Sequence, residues 1–337
     1  MLKKLAGAAV GAVFALMAGT AFADYKPLDG DPEVINFGII STESTANLKQ
    51  QWLPFLADME KRIGMPVKPF FAPDYAGIIE AMRFGKVHVA WFGNKSGMEA
   101  VDRSGAEVFA QQVGIDGEAG YYSYIITHKD SPLNSLKDLL KCDKTLNFGM
   151  GDPNSTSGFL VPSYYVFAKN GVDPKECFKT VRNSNHETNF MATANKQVDA
   201  AANNSEQWVR SHRKAPEAAR NVKVIWKSPL IPSDPITYRK DLSRDLKARV
   251  KGFFLTYGRF GTPEEIKHAR AVLAEMQLAP FADSSNTQLY PIRQLALFKD
   301  KVKTQNSSMS DGDKQAKIMM IDKELTTLSV LADNVGK

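Results

Sequence analysis

The residues most able to do chemistry gather in one short segment. Positions 149–158 read Gly-Met-Gly-Asp-Pro-Asn-Ser-Thr-Ser-Gly, after a strand-like run at 145–148 and before Phe159, Leu160, Tyr164, Phe167 and Ala168 at helical spacing. Glycines and a proline turn the backbone and bring Asn154, Ser155, Thr156 and Ser157 to a helix start. Unpaired backbone N–H groups and the helix dipole attract anions there, and consecutive hydroxyls add donors. A plain Ser/Thr N-cap is the competing reading, but a cap needs one hydroxyl and three are present. The segment lacks the Gly-Lys-Ser/Thr ending of a nucleotide P-loop, and its glycines do not fit G-x-G-x-x-G. A small anion is the expected ligand, and a nucleotide is not.

Other polar residues fall at comparable places. Tyr75 opens a helix after Pro73-Asp74, and His186 and Thr188 lie in the polar turn 183–189. Glu206 follows Asn203-Asn204-Ser205, and Tyr121 and Asp234 lie in segments that cross between two halves of the chain. Each has an ordinary explanation as core tyrosine, capping histidine, first-turn glutamate or turn aspartate. Their shared position at the carboxyl ends of strands and at crossings, where open α/β sheets bind ligands, favours a site. Enzyme signatures are weaker. There is no G-x-S-x-G elbow and no H-E-x-x-H helix, and His88, His128, His186, His212 and His268 are dispersed. Ser155 or Ser157 with His186 supplies the residue types of a hydrolase, but no third group is recognisable. No catalytic residue, metal or cofactor is expected, since Cys/His metal spacing is absent.

The elements that must position these residues alternate. Segment 34–40 reads as a buried strand, and a helix follows with Leu48, Trp52, Phe55, Leu56, Met59 and Ile63 on one face, stopping at Gly64. Strands are expected at 67–72, 87–92 and 107–113, with a helix carrying Ile78, Ile79 and Met82 between the first two. The pattern restarts with strands at 121–128, 145–148, 178–181, 198–202 and 222–226, and returns at 236–238 after the proline-rich stretch 228–235. Alternating strands and helices predict an α/β fold with parallel or mixed sheets. Two such units joined near 119–121 and 228–235 predict two lobes linked by two crossing strands, an arrangement that closes around ligands. The expected boundaries are 24–120 with 235–305 for lobe 1, 121–234 for lobe 2, and 306–337 for a C-terminal helical extension. In that extension Ile318, Ile321, Leu325, Leu328, Ala332 and Val335 repeat at heptad spacing over 313–335. The stripe serves either its own protein or a homodimer seam.

The chain has 337 residues, 43% hydrophobic, with a formal net charge of +6. Its length suits two lobes better than one core. Lys and Arg are scattered among acids, which excludes a nucleic-acid surface, while a mild positive field gathers small anions. Met-Leu-Lys-Lys, a short apolar stretch and Ala21-Phe22-Ala23 predict a secretory signal over 1–23, cleaved before Asp24. No later segment is apolar enough to span a membrane. In an exported protein Cys142 and Cys177 can pair. They shortly precede the strands at 145 and 178, which a right-handed βαβ unit would make parallel and adjacent, so a disulfide is expected away from the ligand end.

Along nearly the whole mature chain the sequence resembles the PhnD family, the periplasmic phosphonate-binding proteins of phosphonate ABC transporters. The resemblance rests on Ile-Asn-Phe-Gly-Ile-Ile-Ser-Thr-Glu-Ser at 35–44, Phe-Ala-Pro-Asp-Tyr-Ala-Gly-Ile-Ile at 71–79 and Gly-Asp-Pro-Asn-Ser-Thr-Ser-Gly-Phe-Leu-Val-Pro at 151–162. His-Glu-Thr-Asn at 186–189, Ala-Asn-Lys-Gln-Val-Asp at 194–199, Val-Ile-Trp-Lys-Ser-Pro-Leu-Ile-Pro at 224–232 and Pro-Ile-Arg-Gln-Leu-Ala-Leu-Phe-Lys at 291–299 extend it. It implies a type II periplasmic-binding fold, a periplasmic location, and delivery of a phosphonate to an ABC permease, with no chemistry done on the ligand. It places the phosphonate on Ser155, Thr156, Ser157 and His186 with Tyr121 beside them. The amine of 2-aminoethylphosphonate falls to Tyr75, Tyr121, Glu206 and Asp234. Phe92 and Tyr122 depart from the family pattern, which has tyrosine and tryptophan there, and the two cysteines are not part of it. The alternatives are the same fold tuned to phosphite or phosphate, or a protein that presents its ligand to a membrane sensor.

Overall fold

The computed structural model describes residues 30–334. The expected leader and Val335 lie outside the described residues. Two sheets organise the chain. The first has six strands in the order Leu278–Asp283, Ala106–Gly114, Pro235–Arg239, Val89–Trp91, Ile35–Ile39, Val67–Phe71. The second has five, in the order Val222–Lys227, Ser123–His128, Ala200–Asn204, Asn147–Gly151, Thr180–Ser184. Each sheet with its helices forms one lobe.

Both sheets are mixed. Ile35–Ile39 pairs in parallel with Val67–Phe71 and Val89–Trp91, but Pro235–Arg239 enters antiparallel between Val89–Trp91 and Ala106–Gly114. That strand arrives from the other lobe rather than over a βαβ crossover, so nothing forces it to run with its neighbours. Leu278–Asp283, an edge strand that the pattern of apolar residues does not announce, carries Pro280 where an edge tolerates it. In the second sheet Asn147–Gly151 runs parallel to Thr180–Ser184 and Ala200–Asn204, and Ser123–His128 is antiparallel to both its neighbours.

The two lobes are joined by a ribbon in which Gly120–Tyr121 pairs antiparallel with Ile231–Pro232. The expected single strand over 121–128 is interrupted at Tyr122. Its N–H donates to Ser205 Oγ at 3.1 Å and its carbonyl accepts from Ser205 N–H at 2.9 Å, which takes this residue out of the ladder.

Helix Thr45–Ile63 buries Leu48, Trp52, Phe55, Leu56, Met59 and Ile63, and ends at Gly64 in the left-handed conformation with φ 74°. Phe37, Trp52, Phe55, Phe254 and Phe281 interlock beneath it, with Phe55 and Phe254 centroids 5.3 Å apart at 63°. The smaller core of the second lobe stacks Phe148 on Phe178 with Phe167 edge-on.

Cys142 and Cys177 form a disulfide with Cα atoms 4.0 Å apart. Cys142 lies in the loop before Asn147–Gly151 and Cys177 ends the short helix Pro174–Cys177 before Thr180–Ser184, at the ends opposite Ser155 and His186. The C-terminal helix Asp311–Asp333 packs along Tyr290–Gln305, burying Ile321, Leu325 and Leu328 within the chain. Lys301–Asp322 at 2.5 Å and Gln294–Ser329 at 3.2 Å tie the two together, while Met319, Met320, Val330 and Leu331 are exposed. Among the described residues no helix is long and apolar enough to cross a membrane.

Candidate functional site

Three residues separate the end of strand Asn147–Gly151 from Ser155, where the chain turns into a helix whose first turn, Thr156–Leu160, is π-wide. Gly151 makes that turn tight: a Cβ there would lie 2.5 Å from Gly158 Cα, so no other residue lets the strand end and helix start meet. Ser155, Thr156 and Ser157 are buried, and each hydroxyl oxygen already accepts a protein N–H. Gly158 N donates to Ser155 Oγ at 3.0 Å, Lys95 N to Thr156 Oγ1 at 2.8 Å, and Asn204 Nδ2 to Ser157 Oγ at 3.3 Å. The O–H protons are therefore the remaining donors, and all three hydroxyls are set to give rather than take hydrogen bonds. Local capping accounts for Ser155 alone.

His186 begins helix His186–Ala194, its Nε2 3.4 Å from Ser155 Oγ. Burial pushes its pKa down to about 3, and Arg210 adds to the shift, so the ring is neutral across the physiological range. Its buried Nδ1 has no partner among the described residues. A serine hydrolase needs that nitrogen held by a carboxylate, and the geometry supplies none. Thr188 is exposed and donates its backbone N–H to the Asn185 cap, so it lies outside this cluster.

The other end of the site is carboxylate-rich. Asp234, 5% exposed, accepts from Tyr121 O–H at 2.9 Å and from Trp91 Nε1–H at 3.2 Å. Burial, with Glu206 nearby, holds its carboxyl well above the usual range. Glu206 opens helix Ser205–Lys214 and keeps part of its surface open; burial raises its carboxyl too, offset in part by Arg210. Among the described residues no hydrogen-bond donor meets the Glu206 carboxylate. The Tyr75 phenol lies close enough to Ser155, and the Tyr121 phenol to Thr156, for these hydroxyls to act on them, and burial raises both phenols with Asp234 adding. The two tyrosines thus bridge the hydroxyl end to the carboxylate end. All eight residues singled out as ligand-binding from the sequence converge on one cleft between the sheets.

Several residues of the same cleft were not singled out. Trp91 stands at the carboxyl end of its strand and Asp152 in the turn before Ser155. Arg210 sits one helical turn after Glu206, a spacing that could have drawn attention. Lys95 caps the Pro153 carbonyl with its Nζ and packs over the Phe159 ring. Phe92 is fully buried core, and Tyr122 carries Lys227 Nζ 3.5 Å above its ring centroid.

Known proteins match this arrangement. Residues 37–289 match the family model described as "ABC transporter, phosphonate, periplasmic substrate-binding protein". The chain is 56% identical over 301 residues to the phosphonates-binding periplasmic protein of Escherichia coli (strain K12), covering 89% of this chain and 87% of that one. The structure of a binding protein component of an ABC phosphonate transporter from Pseudomonas aeruginosa superposes with TM-score 0.87 at 51% identity, covering 91% of this chain and all of that one. A Prochlorococcus marinus protein solved with methylphosphonate shares the fold at TM-score 0.69 and 23% identity, over 79% of this chain and 97% of that one. These relatives are substrate-binding transport proteins rather than enzymes, and their architecture is the type II periplasmic-binding fold. The chain belongs to the family of periplasmic substrate-binding proteins of phosphonate ABC transporters.

Proposed function

We propose that the ligand carried to the permease is 2-aminoethylphosphonate, held with its phosphonate on Ser155, Thr156, Ser157 and His186 and its ammonium between Asp234, Glu206 and Tyr75. Tyr121, bonded to Asp234 and beside Thr156, spans the two ends. The observation that supports this reading is a pair of neighbouring carboxyls, buried Asp234 and partly open Glu206, both raised by desolvation and joined through Tyr121 to the hydroxyl cluster. Buried carboxylates beside an anion are unfavourable unless a cation joins them. A phosphonate with an ammonium two carbons away meets both demands, and phosphite or phosphate meets only one.

Calorimetry of the purified protein against 2-aminoethylphosphonate, ethylphosphonate, methylphosphonate, phosphite and phosphate tests the assignment. The aminated ligand should bind far more tightly than ethylphosphonate, and equal affinities would sink the amine site. The two-lobed division at 121 and 234 and export with removal of residues 1–23 belong to the same reading. The C-terminal stripe serves the protein's own packing, since Ile321, Leu325 and Leu328 are buried within the chain.

A further inference from the structure

Three consecutive residues of the first lobe, Thr42, Glu43 and Ser44, meet the second lobe across the cleft. The Thr42 carbonyl accepts from Glu187 N–H at 3.3 Å. Glu43 Oε1 lies 2.7 Å from Arg210 Nε, with side chains only 3% and 10% exposed, and Gln51 Nε2 donates to both Glu43 oxygens at 3.1 and 3.2 Å. Ser44 N–H donates to Glu187 Oε2 at 2.6 Å, and Asn47 Nδ2 to Oε1 at 2.6 Å, so a carboxylate of the second lobe caps helix Thr45–Ile63 of the first.

Two more helix starts of the first lobe are finished from the second. Tyr75 N–H donates to Asp152 Oδ2 at 3.2 Å. Helix Asn94–Arg103, whose N-cap Gly93 has no side chain to offer, gives Lys95 N–H to Thr156 Oγ1 at 2.8 Å. Helix N-termini carry positive partial charge and unsatisfied donors, so acceptors arriving from across a cleft are bound most strongly when the lobes are together. Separating the lobes would leave Glu43 and Arg210 to be rehydrated apart and would remove the cross-lobe acceptors from three helix starts, of which only that of Asn94–Arg103 has no side-chain cap of its own.

We propose that the Thr42-Glu43-Ser44 turn is a closure clasp, with Arg210 and Glu187 as its receiving groups, and that it holds the bound ligand in by slowing reopening. Arg210 is the joint between clasp and site: it reaches Glu43 on one side and is the charge that acts on Glu206, Asp234 and His186 on the other. It is a positioning residue, since its contact with the ligand is through the carboxylates it steadies. The proposal rests on phosphonate binding in this cleft and not on the ligand's amine.

Stopped-flow dissociation, followed by intrinsic tryptophan fluorescence, tests it on Glu43→Gln, Arg210→Gln, the double variant and Glu187→Gln. Glu43→Gln should speed dissociation on the order of tenfold or more while association changes little, because breaking a buried ion pair acts on the off-rate. The double variant should be no worse than the worse single one, as expected of partners in one interaction. Glu187→Gln, at the edge of the clasp, should give a smaller acceleration and keeps the test open if Arg210→Gln does not fold. The acceleration should appear equally with ethylphosphonate and 2-aminoethylphosphonate, so a failed amine assignment leaves it standing. Off-rates unchanged in both Glu43→Gln and Glu187→Gln, or additive effects of Glu43 and Arg210, would overturn the clasp.

Discussion

The two ends of the cleft solve opposite problems with different means. At the hydroxyl end, where the proposal puts the anion, the protein brings no formal charge: three O–H groups, a neutral imidazole and a helix start gather there, all from the second lobe. At the other end it brings two carboxylates and pays for their burial with raised pKa values, relieved by Tyr121, Trp91 and Arg210. Neutral donors carry no charge to desolvate, so they cost less than buried carboxylates when unoccupied. Buried carboxylates are costly until a cation arrives, so in the proposed site they are the end expected to discriminate.

The sharpest test of that contrast is Asp234→Asn. Its loss should weaken 2-aminoethylphosphonate by about 2–5 kcal/mol, the usual penalty for breaking a buried charge pair. Ethylphosphonate should bind the variant as well as or better than it binds the native protein, as calorimetry on both ligands would show. A parallel loss for both would erase the distinction between the ends.

Thr156→Val preserves shape and removes one donor from the other end. All phosphonates should weaken together, by about 1–3 kcal/mol. An effect confined to the aminated ligand would place the anion elsewhere.

Protons offer a subtler comparison. The ligand-free carboxyls are raised, so part of their population is protonated at a pH where ordinary carboxylates are not; an ammonium favours their ionised form. Binding of 2-aminoethylphosphonate should therefore release protons. Its affinity should climb as pH rises through the raised carboxyl range and fall as pH drops through it. His186, depressed to about 3, contributes no step near neutrality. Calorimetry in two buffers of different ionisation enthalpy counts the protons, and ethylphosphonate supplies the phosphonate's own share. Equal counts for the two ligands would contradict the carboxylate assignment.

The smallest effect on binding should come from the far pole of the second lobe. Replacing Cys142 and Cys177 by serine opens a bridge across a sequence separation of 35. The expected loss is about 3–4 kcal/mol of stability on loop-closure grounds, read as a lower melting temperature with phosphonate affinity unchanged. A change in affinity would mean that the strands transmit strain to Ser155 and His186.

How much of this was legible in the sequence depended on distance along the chain. Ser155, Thr156 and Ser157 announce themselves because three hydroxyls in a row exceed any local need. The face of helix Thr45–Ile63 follows from its apolar spacing, and the pairing of Asn147–Gly151 with Thr180–Ser184 from βαβ handedness. Glu206 and Asp234, 28 residues apart in sequence, each have a dull local explanation; their places at a strand end and a crossing suggested a shared site, and the family resemblance gave them a shared role. Glu43 and Arg210 form an ion pair between lobes, and such a pair leaves no periodic trace. Leu278–Asp283 hid for a different reason: alanines and a proline blur its alternation, and its partner strand lies far back in the chain.

Tyr121 and Asp234 are residues of the connecting ribbon as much as of the cleft. Tyr121 pairs with Ile231, and Asp234 sits between Pro232 and the returning strand. A rotation of the lobes about that ribbon shifts the phenol against Thr156 while the phenol stays bonded to Asp234. The axle and the lock are thus the same few atoms. If the proposed site holds the ligand, a substitution meant only to loosen the joint should also retune what the protein will hold.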